Sequence, residues 1–208
     1  MISQNQPPDY SSVEYWNQRY SQEVGLSFDW IRTYEEIKEF IIPCLFGNKQ
    51  AEILVIGCGN SLLSEGIYHE GYRYISNIDF SEEIIHQMED RYKEYSDMDF
   101  QVADATDLKL EPNCMSCVID KGVLDSIMCG VSGQEEATKM ISNIYNVLTP
   151  GGVYICVSCA PPENRELIFA KPGCNWEIKK HKLPIKGAKD PLKYHYIYIL
   201  SKKIDDDI

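Results

Sequence analysis

The chain has 208 residues, of which 44% are hydrophobic and 25% charged, as in an ordinary globular protein with one sizeable core. No stretch approaches the roughly 20 apolar residues that span a bilayer, and the polar start "MISQNQPPDYSS" does not resemble a signal peptide. The net charge is −12; residues 1–164 carry 10 Lys/Arg against 26 Asp/Glu, and residues 165–208 carry 10 against 6. Such an acidic body disfavours nucleic acid as a partner and is compatible with a basic protein substrate. We predict a cytoplasmic monomer.

The N-terminal part of the chain predicts two helices. In "VEYWNQRY", Trp16 and Tyr20 are four residues apart and therefore lie on one face of the first helix. The second helix is predicted from Ile31 to Leu45.

Strands and helices then alternate along the chain. Strands are predicted at 52–56, 72–79, 98–104, 115–120 and 153–158, with helices from about 61, at 81–92 and at 134–148. "LTPGG" (148–152) predicts the turn between the helix at 134–148 and the strand at 153–158. Two extended segments, "NWEIKKHKLPI" and "KYHYIYILSK", follow close together and should pair as antiparallel strands at one edge. This order predicts a Rossmann-like, doubly wound α/β domain with a seven-stranded, mostly parallel sheet between two helical layers.

Eight cysteines raise the question of disulfides or a metal site. Two Cys-x-x-Cys pairs occur, Cys114 with Cys117 and Cys156 with Cys159. The second pair lies in a predicted strand, where residues three apart point to opposite faces and do not chelate one ion. The 38 residues between the pairs also exceed the roughly 15–20 of a common zinc spacing. We predict reduced, buried thiols and no metal.

Glycines and acidic residues stand where the predicted strands end. Gly57 and Gly59 follow the first strand, and glycine lets the backbone turn tightly and approach a ligand closely. Asp79 lies 22 residues beyond Gly57, close to the offset of about 20 at which an acidic residue binds ribose hydroxyls. Asp104 and Asp120 end the next two strands. In open α/β sheets ligands bind outside these carboxyl ends, so the pattern predicts a nucleoside site.

The spacing after the glycines distinguishes between nucleoside cofactors. A dinucleotide site has a third glycine where this chain has Leu62, and Glu65 would repel a pyrophosphate. S-adenosylmethionine fits better, with its ribose at Asp79, its purine near Phe80 and Asp104, and its amino-acid end near the glycine turn. A nicotinamide oxidoreductase is the weakest alternative.

The segments "ILVIGCGNSLLSEGIYHEGYRYISNIDFSEEIIHQMEDRY" and "VIDKGVLDS" resemble the seven-strand, class I methyltransferases that depend on S-adenosylmethionine. More narrowly, they resemble the methyltransferase-like enzymes that methylate lysine in translation elongation factor 1-alpha. That branch also carries a Tyr-Trp-x-x-Arg-Tyr segment, matched here by Tyr15, Trp16, Arg19 and Tyr20. The resemblance covers residues 13 to 160, and it departs at Val123, where Thr is usual, and at Ser126, where Ala is common.

The resemblance implies a role for each matched residue. Trp16 and Tyr20 would close over the cofactor, Gly57 would line its amino-acid end, and Lys121 would lie beside it. The cofactor-binding residues expected in all are Trp16, Tyr20, Gly57, Gly59, Asp79, Phe80, Asp104, Ala105 and Lys121. The resemblance further implies one domain over 1–208, with residues 1–46 closing over the cofactor, 47–160 binding it, and 161–208 forming a strand pair.

A lysine acceptor makes specific demands on the site. Its amine has an ordinary pKa near 10.4, so the reactive neutral form costs about 4.6 kcal/mol at pH 7. We predict that Asp120 or Asp125 orients the incoming amine and that Lys121 raises the local positive potential, which favours proton loss. The chain lacks an Asn/Asp-Pro-Pro-Tyr/Phe segment after the fourth strand, which disfavours nucleobase methylation. A small-molecule methyltransferase and a cofactor-sensing module without catalysis remain open at this point.

Overall fold

A computed structural model describes residues 8–185 and 193–204, so residues 1–7, 186–192 and 205–208 lie outside the described residues. Seven strands form one sheet in the order β3-β2-β1-β4-β5-β7-β6. All neighbours are parallel except β7, which is antiparallel to both β5 and β6. The predicted fold class and antiparallel edge are confirmed. The strands are β1 Ile53–Ile56, β2 Ile75–Asp79, β3 Met98–Val102, β4 Met115–Lys121, β5 Leu148–Ser158, β6 Trp176–Pro184 and β7 Tyr194–Lys202.

Helices cover both faces of the sheet because the central strands are buried on both sides. In β1, Ile53 and Val55 belong to one apolar cluster and Leu54 and Ile56 to the other, as the alternation of side chains along a strand requires. The first cluster contains buried residues of α1 to α4, and the second those of α5 to α7. The helices are α1 Val13–Gln22, α2 Tyr34–Ile41, α3 Leu63–His69, α4 Glu82–Arg91, α5 Val123–Ile127, α6 Gly133–Val147 and α7 Glu166–Phe169.

Local sequence explains where several helices begin. Ser81 caps α4 by accepting a hydrogen bond from the Ile84 N–H, as its position before an acidic first turn predicts. Thr33 and Glu36 form a capping box at the start of α2. The prediction of a helix from Ile31 was therefore too long, since Ile31 itself has a φ of +67°, outside the helical region.

Strand β5 is longer than predicted. Leu148 pairs with Met115, and the register then shifts before Val153 pairs with Cys117. The segment predicted as a turn, "LTPGG", is therefore an irregularity within β5, and Gly151 takes a φ of +78° there.

The structure shows the state of the cysteines, which the sequence predicted to be reduced and buried. All eight cysteines are free; Cys58, Cys117 and Cys156 are buried, whereas Cys129 and Cys159 are exposed. The prediction of a buried thiol is wrong for Cys159, because this residue lies just beyond the end of β5.

Within residues 8–185 and 193–204, no helix is long and apolar enough to cross a membrane. In the same part of the chain, no three His, Cys, Asp or Glu side chains are grouped as metal ligands.

Candidate functional site

A cavity of about 520 Å³ opens at the carboxyl ends of the central strands. Strand β1 lies between β2 and β4, so the chain order reverses beside it, and ligands of doubly wound sheets bind at this point. The volume is within the roughly 300–1,000 Å³ of small-molecule and cofactor sites. We call the part around Gly57, Gly59 and Asp79 the glycine end, and the part around Asp125 and Cys159 the Asp125 end. The two ends lie over different strands, β1 and β2 for the first, β4 and β5 for the second.

The two glycines adopt left-handed backbone conformations, which favour glycine. Gly57 has a φ of +57° and Gly59 a φ of +51°. A Cβ on Gly57 would lie 2.1 Å from Cγ2 of Val123, and one on Gly59 would lie 2.9 Å from the Tyr20 hydroxyl. The turn therefore needs glycine both for its φ values and for the closeness of its neighbours.

Asp79 joins this turn to the second strand. Its Oδ2 accepts a hydrogen bond of 3.0 Å from the Gly59 N–H, and its Oδ1 accepts one of 3.0 Å from the Ser81 N–H. Burial raises the pKa of Asp79 to about 6, against the lowering effect of these backbone bonds. Each carboxylate oxygen keeps a further lone pair, so Asp79 can still accept hydrogen bonds from a vicinal diol.

Helix α1 forms one wall of the cavity. Trp16 and Tyr20 are buried and stacked, with ring centroids 5.5 Å apart. The helix is held in place by hydrogen bonds to α4, from the Ser81 hydroxyl to Asn17 at 2.6 Å and from the Gln87 amide to the Tyr20 carbonyl at 3.1 Å. Burial and the nearby Asp79 carboxylate raise the pKa of Tyr20, so its hydroxyl stays protonated.

The remaining residues expected around a purine also line the cavity. Phe80 is partly buried, Ala105 is buried, and Asp104 is exposed at its rim. Both a backbone N–H and the hydroxyl of Thr106 donate to Asp104 Oδ1 at 2.8 Å, which leaves Oδ2 for other contacts. The structure thus brings all nine predicted cofactor-binding residues to one cavity.

Lys121 lines the cavity, but its charge is already paired. Its Nζ lies 3.0 Å from Asp29 Oδ1 and donates to the Trp30 carbonyl at 3.1 Å. The Lys121 side chain is 5% exposed and that of Asp29 is 11% exposed, and burial lowers the pKa of Lys121. The predicted positive potential is therefore offset by Asp29, which sequence reasoning missed because it lies 92 positions away in a loop.

Asp120 and Asp125 have different surroundings, although both were predicted to orient an acceptor. Asp120 is fully buried beneath the cavity and does not line it. Its carboxylate accepts hydrogen bonds from the Val123 N–H at 2.7 Å and the Tyr154 hydroxyl at 3.0 Å, so it shapes the start of α5. Burial, with a further contribution from Asp125, raises the pKa of Asp120 to about 6. This geometry gives Asp120 a structural role instead of a contact with an acceptor.

Asp125 faces the cavity. Its Oδ1 accepts a hydrogen bond of 3.0 Å from the Cys159 N–H and lies 3.4 Å from Nη2 of Arg165. Its Oδ2 is buried and has no hydrogen-bond partner within residues 8–185 and 193–204. An unpaired buried carboxylate oxygen is costly, and Oδ2 has the capacity to accept a hydrogen bond from a water or from a donor group of a ligand.

Asn60 provides a second unpaired group that sequence reasoning did not single out. It is 3% exposed, lines the cavity next to Gly59, and its Nδ2 donates to no group in the described part of the chain. The glycine end therefore offers a buried amide donor beside a tight backbone turn, which suits a carboxylate. Together with Asp79 as a diol acceptor, these groups fit the amino-acid and ribose parts of S-adenosylmethionine.

One family of known proteins resembles the part of the chain that surrounds this cavity. The family model described as "Methyltransferase domain" matches residues 54–156. The match includes both glycines, Asp79, Lys121 and Asp125, whereas α1 and Arg165 lie outside it.

Relatives with curated names extend the similarity beyond this match. The chain is 35% identical to an "eEF1A lysine and N-terminal methyltransferase" of Xenopus laevis, over 93% of this chain and 29% of the relative. It is 26% identical to "EEF1A lysine methyltransferase 4" of Mus musculus, over 82% of this chain and 69% of the relative. The chain thus spans less than a third of the first relative's length.

A solved methyltransferase structure shares the fold of this chain. The N-methyltransferase NodS of Bradyrhizobium japonicum, solved with S-adenosyl-L-homocysteine, aligns with a TM-score of 0.65 over 90% of this chain and 98% of NodS. The two sequences are 13% identical, so this likeness concerns the fold alone.

Proposed function

We propose that this protein is an S-adenosylmethionine-dependent methyltransferase that acts on a lysine side chain of translation elongation factor 1-alpha. The observation that carries the proposal is that the glycine turn and Asp125, whose Oδ2 has no hydrogen-bond partner among the described residues, line one cavity. The names of the two curated relatives support the choice of acceptor protein. We further propose a monomer in the cytoplasm, where a translation factor works, without nucleic acid or membrane as a partner.

The glycine end would hold the cofactor. Asp79 would accept hydrogen bonds from the ribose hydroxyls, and Phe80, Asp104 and Ala105 would surround the adenine. Asn60 and the Gly57–Gly59 turn would receive the carboxylate of the amino-acid part. We propose that residues 1–46 close over this end, that residues 47–160 bind the cofactor, and that the C-terminal part from 161 completes the Asp125 end.

The Asp125 end would hold the acceptor amine. S-adenosylmethionine, when bound, supplies a methyl group on a sulfonium that an amine displaces in line. The carboxylate of Asp125 would attract the lysine cation and accept one of its N–H groups, which fixes the direction of the amine. Apolar lining from Trp30, Ile31 and Val123 would favour loss of the amine proton to solvent before the attack, since burial lowers the pKa of a cation.

The direct test is methyl transfer to unmethylated elongation factor 1-alpha produced in bacteria. The protein is incubated with S-adenosylmethionine and the factor, and mass spectrometry maps methyl groups on lysines and on the N-terminal amine, because one relative's name includes both. We expect methylation of one lysine, absent with Asp79→Ala and present with Asp107→Ala. Asp107 is a matched control because its exposed carboxylate pairs with Lys109 and does not line the cavity.

Two other results would redirect the proposal. Binding of S-adenosylhomocysteine with no transfer to any lysine would favour a cofactor-sensing module or a small-molecule acceptor. Methylation of the N-terminal amine without any lysine would keep the reaction and change the acceptor.

A further inference from the structure

Arg165 is a buried cation that belongs to none of the motifs discussed above. It follows β5 and the short segment Cys159–Asn164, directly before α7, and it is 3% exposed. Burying a guanidinium without partners is costly, so its contacts show what holds it in place. The residue lies outside the methyltransferase-domain match, in the C-terminal part for which the sequence predicted no more than a strand pair.

Arg165 contacts Asp125, the Ser158 hydroxyl and the Asn164 carbonyl, to which its Nη1 donates at 3.4 Å. Its Nη2 lies 3.4 Å from Asp125 Oδ1, while its Nε donates to the Ser158 hydroxyl at 3.2 Å. The Cys159 N–H donates to the same Oδ1 at 3.0 Å. Two groups from the end of β5 and beyond thus hold one oxygen of Asp125, and the other oxygen, Oδ2, is left without a partner among the described residues.

We infer that Arg165 is a positioning residue that fixes the Asp125 carboxylate so that Oδ2 receives the cationic amine of the acceptor. The inference rests on the proposed function and deepens it, because it states which group selects a primary amine and which residue orients that group. A carboxylate held at one oxygen cannot rotate freely, so the direction of its second oxygen is fixed before the acceptor enters.

The charges around Asp125 support this arrangement. Asp120 is buried nearby, and two carboxylates close together repel each other unless a cation offsets one of them. Arg165 supplies that cation at Oδ1, and the acceptor ammonium would supply a second one at Oδ2. An anionic acceptor, or one without a donor group, would leave Oδ2 desolvated and unpaired, so the same geometry disfavours it.

The test compares Arg165→Gln with Asp125→Asn, singly and together. Lys180→Gln is the matched control, since it also removes one positive charge from the C-terminal part. Lys180 lies on the edge strand β6, where its ammonium pairs with Glu166, away from the cavity. Three quantities are measured: the affinity for S-adenosylhomocysteine, the affinity of the S-adenosylhomocysteine-loaded protein for unmethylated elongation factor 1-alpha, and kcat/KM for its methylation.

We expect Arg165→Gln to lower kcat/KM by about tenfold or more, as for loss of a charge-assisted contact, and to weaken binding of the factor. Its affinity for S-adenosylhomocysteine should stay within about twofold of wild type, and Lys180→Gln should change none of the three quantities. In the Asp125→Asn background, Arg165→Gln should have less than about twofold further effect, because a positioning residue acts through its partner. Arg165→Lys keeps the charge but not the fork of donors, and should recover part of the loss.

Full additivity of the two substitutions, or an equal loss of S-adenosylhomocysteine affinity in Arg165→Gln, would overturn the inference and show a general structural role. Unchanged methylation by Arg165→Gln would also overturn the inference, because the residue would then have no effect on the reaction. If wild-type protein binds S-adenosylhomocysteine but methylates no lysine of the factor, the proposed function itself fails, and this inference fails with it.

Discussion

The two ends of the cavity are built in different ways. The glycine end is made by residues close together in sequence, since Gly57, Gly59, Asp79 and Phe80 lie within two consecutive strand–turn units. The Asp125 end brings α5 together with Cys159 and Arg165, which follow a different strand 34 and 40 positions later. The glycine end therefore depends on local backbone geometry, whereas the Asp125 end depends on tertiary contacts.

The largest expected effect is at Asp79, the central residue of the glycine end. Asp79→Ala removes the acceptor of ribose hydroxyls and leaves the Gly59 and Ser81 N–H groups without their partner. The two hydrogen bonds that the ribose hydroxyls would donate to the charged carboxylate contribute about 1.5–3 kcal/mol each. Affinity for S-adenosylhomocysteine should therefore fall by about a hundredfold or more. Isothermal titration calorimetry measures this loss, with Asp107→Ala as the control. Retained affinity in Asp79→Ala would place the cofactor elsewhere.

Lys121, which lines the cavity, forms a buried ion pair with Asp29. Lys121→Met leaves the Asp29 carboxylate buried without its cation, so the free energy of unfolding should fall by about 3–5 kcal/mol. Urea unfolding measures the change. The double variant Lys121→Met with Asp29→Asn should be less destabilised than Lys121→Met alone, since no unpaired charge is left. A double variant that loses the full sum of the single effects would argue against a coupled pair.

Gly59 in the glycine turn can be compared with Gly25, a left-handed glycine outside it. Gly25 has a φ of +75° and open space around its Cβ position, whereas a Cβ on Gly59 would meet the Tyr20 hydroxyl at 2.9 Å. Both substitutions by Ala should cost about 1 kcal/mol for the backbone conformation. Gly59→Ala should cost about 1 kcal/mol more and weaken S-adenosylhomocysteine binding by about tenfold. Adding Tyr20→Phe to Gly59→Ala should recover part of the stability; no recovery would mean that the turn itself, and not the contact with α1, sets the cost.

The smallest expected effect is a pH dependence of cofactor binding. Burial raises the pKa of Asp79 to about 6, and the protonated acid loses acceptor capacity for the ribose hydroxyls. Affinity for S-adenosylhomocysteine should therefore be nearly constant above pH 7 and fall by about tenfold between pH 7 and pH 5. Asp79→Asn, which does not titrate, should show no such fall. An equal fall in that variant would assign the pH dependence to another group.

Much of the fold and of the glycine end could be predicted from the sequence, because the signals are local. Periodicity located the strands, and the offset from Gly57 to Asp79 located a pair of groups that the structure joins through a hydrogen bond at Gly59. Boundaries were less accurate where a turn competes with a regular element, as at Ile31 and within β5.

The sequence predicted the Asp125 end only in part. Asp120 and Asp125 look alike in sequence, and burial beneath Tyr154 distinguishes them in the structure. The partner of Lys121 and the role of Arg165 depend on which loops meet in space. No spacing rule connects residues 92 or 40 positions apart that belong to separate elements.

The central claim is that one end of the cavity binds the cofactor and the other directs the acceptor. The most direct test measures, for Asp79→Ala and Asp125→Asn side by side, both S-adenosylhomocysteine affinity and methyl transfer to unmethylated elongation factor 1-alpha. The account predicts that Asp79→Ala loses both, and that Asp125→Asn keeps wild-type affinity but loses at least about tenfold in transfer. Parallel losses of affinity and transfer in Asp125→Asn, or full transfer by that variant, would contradict it.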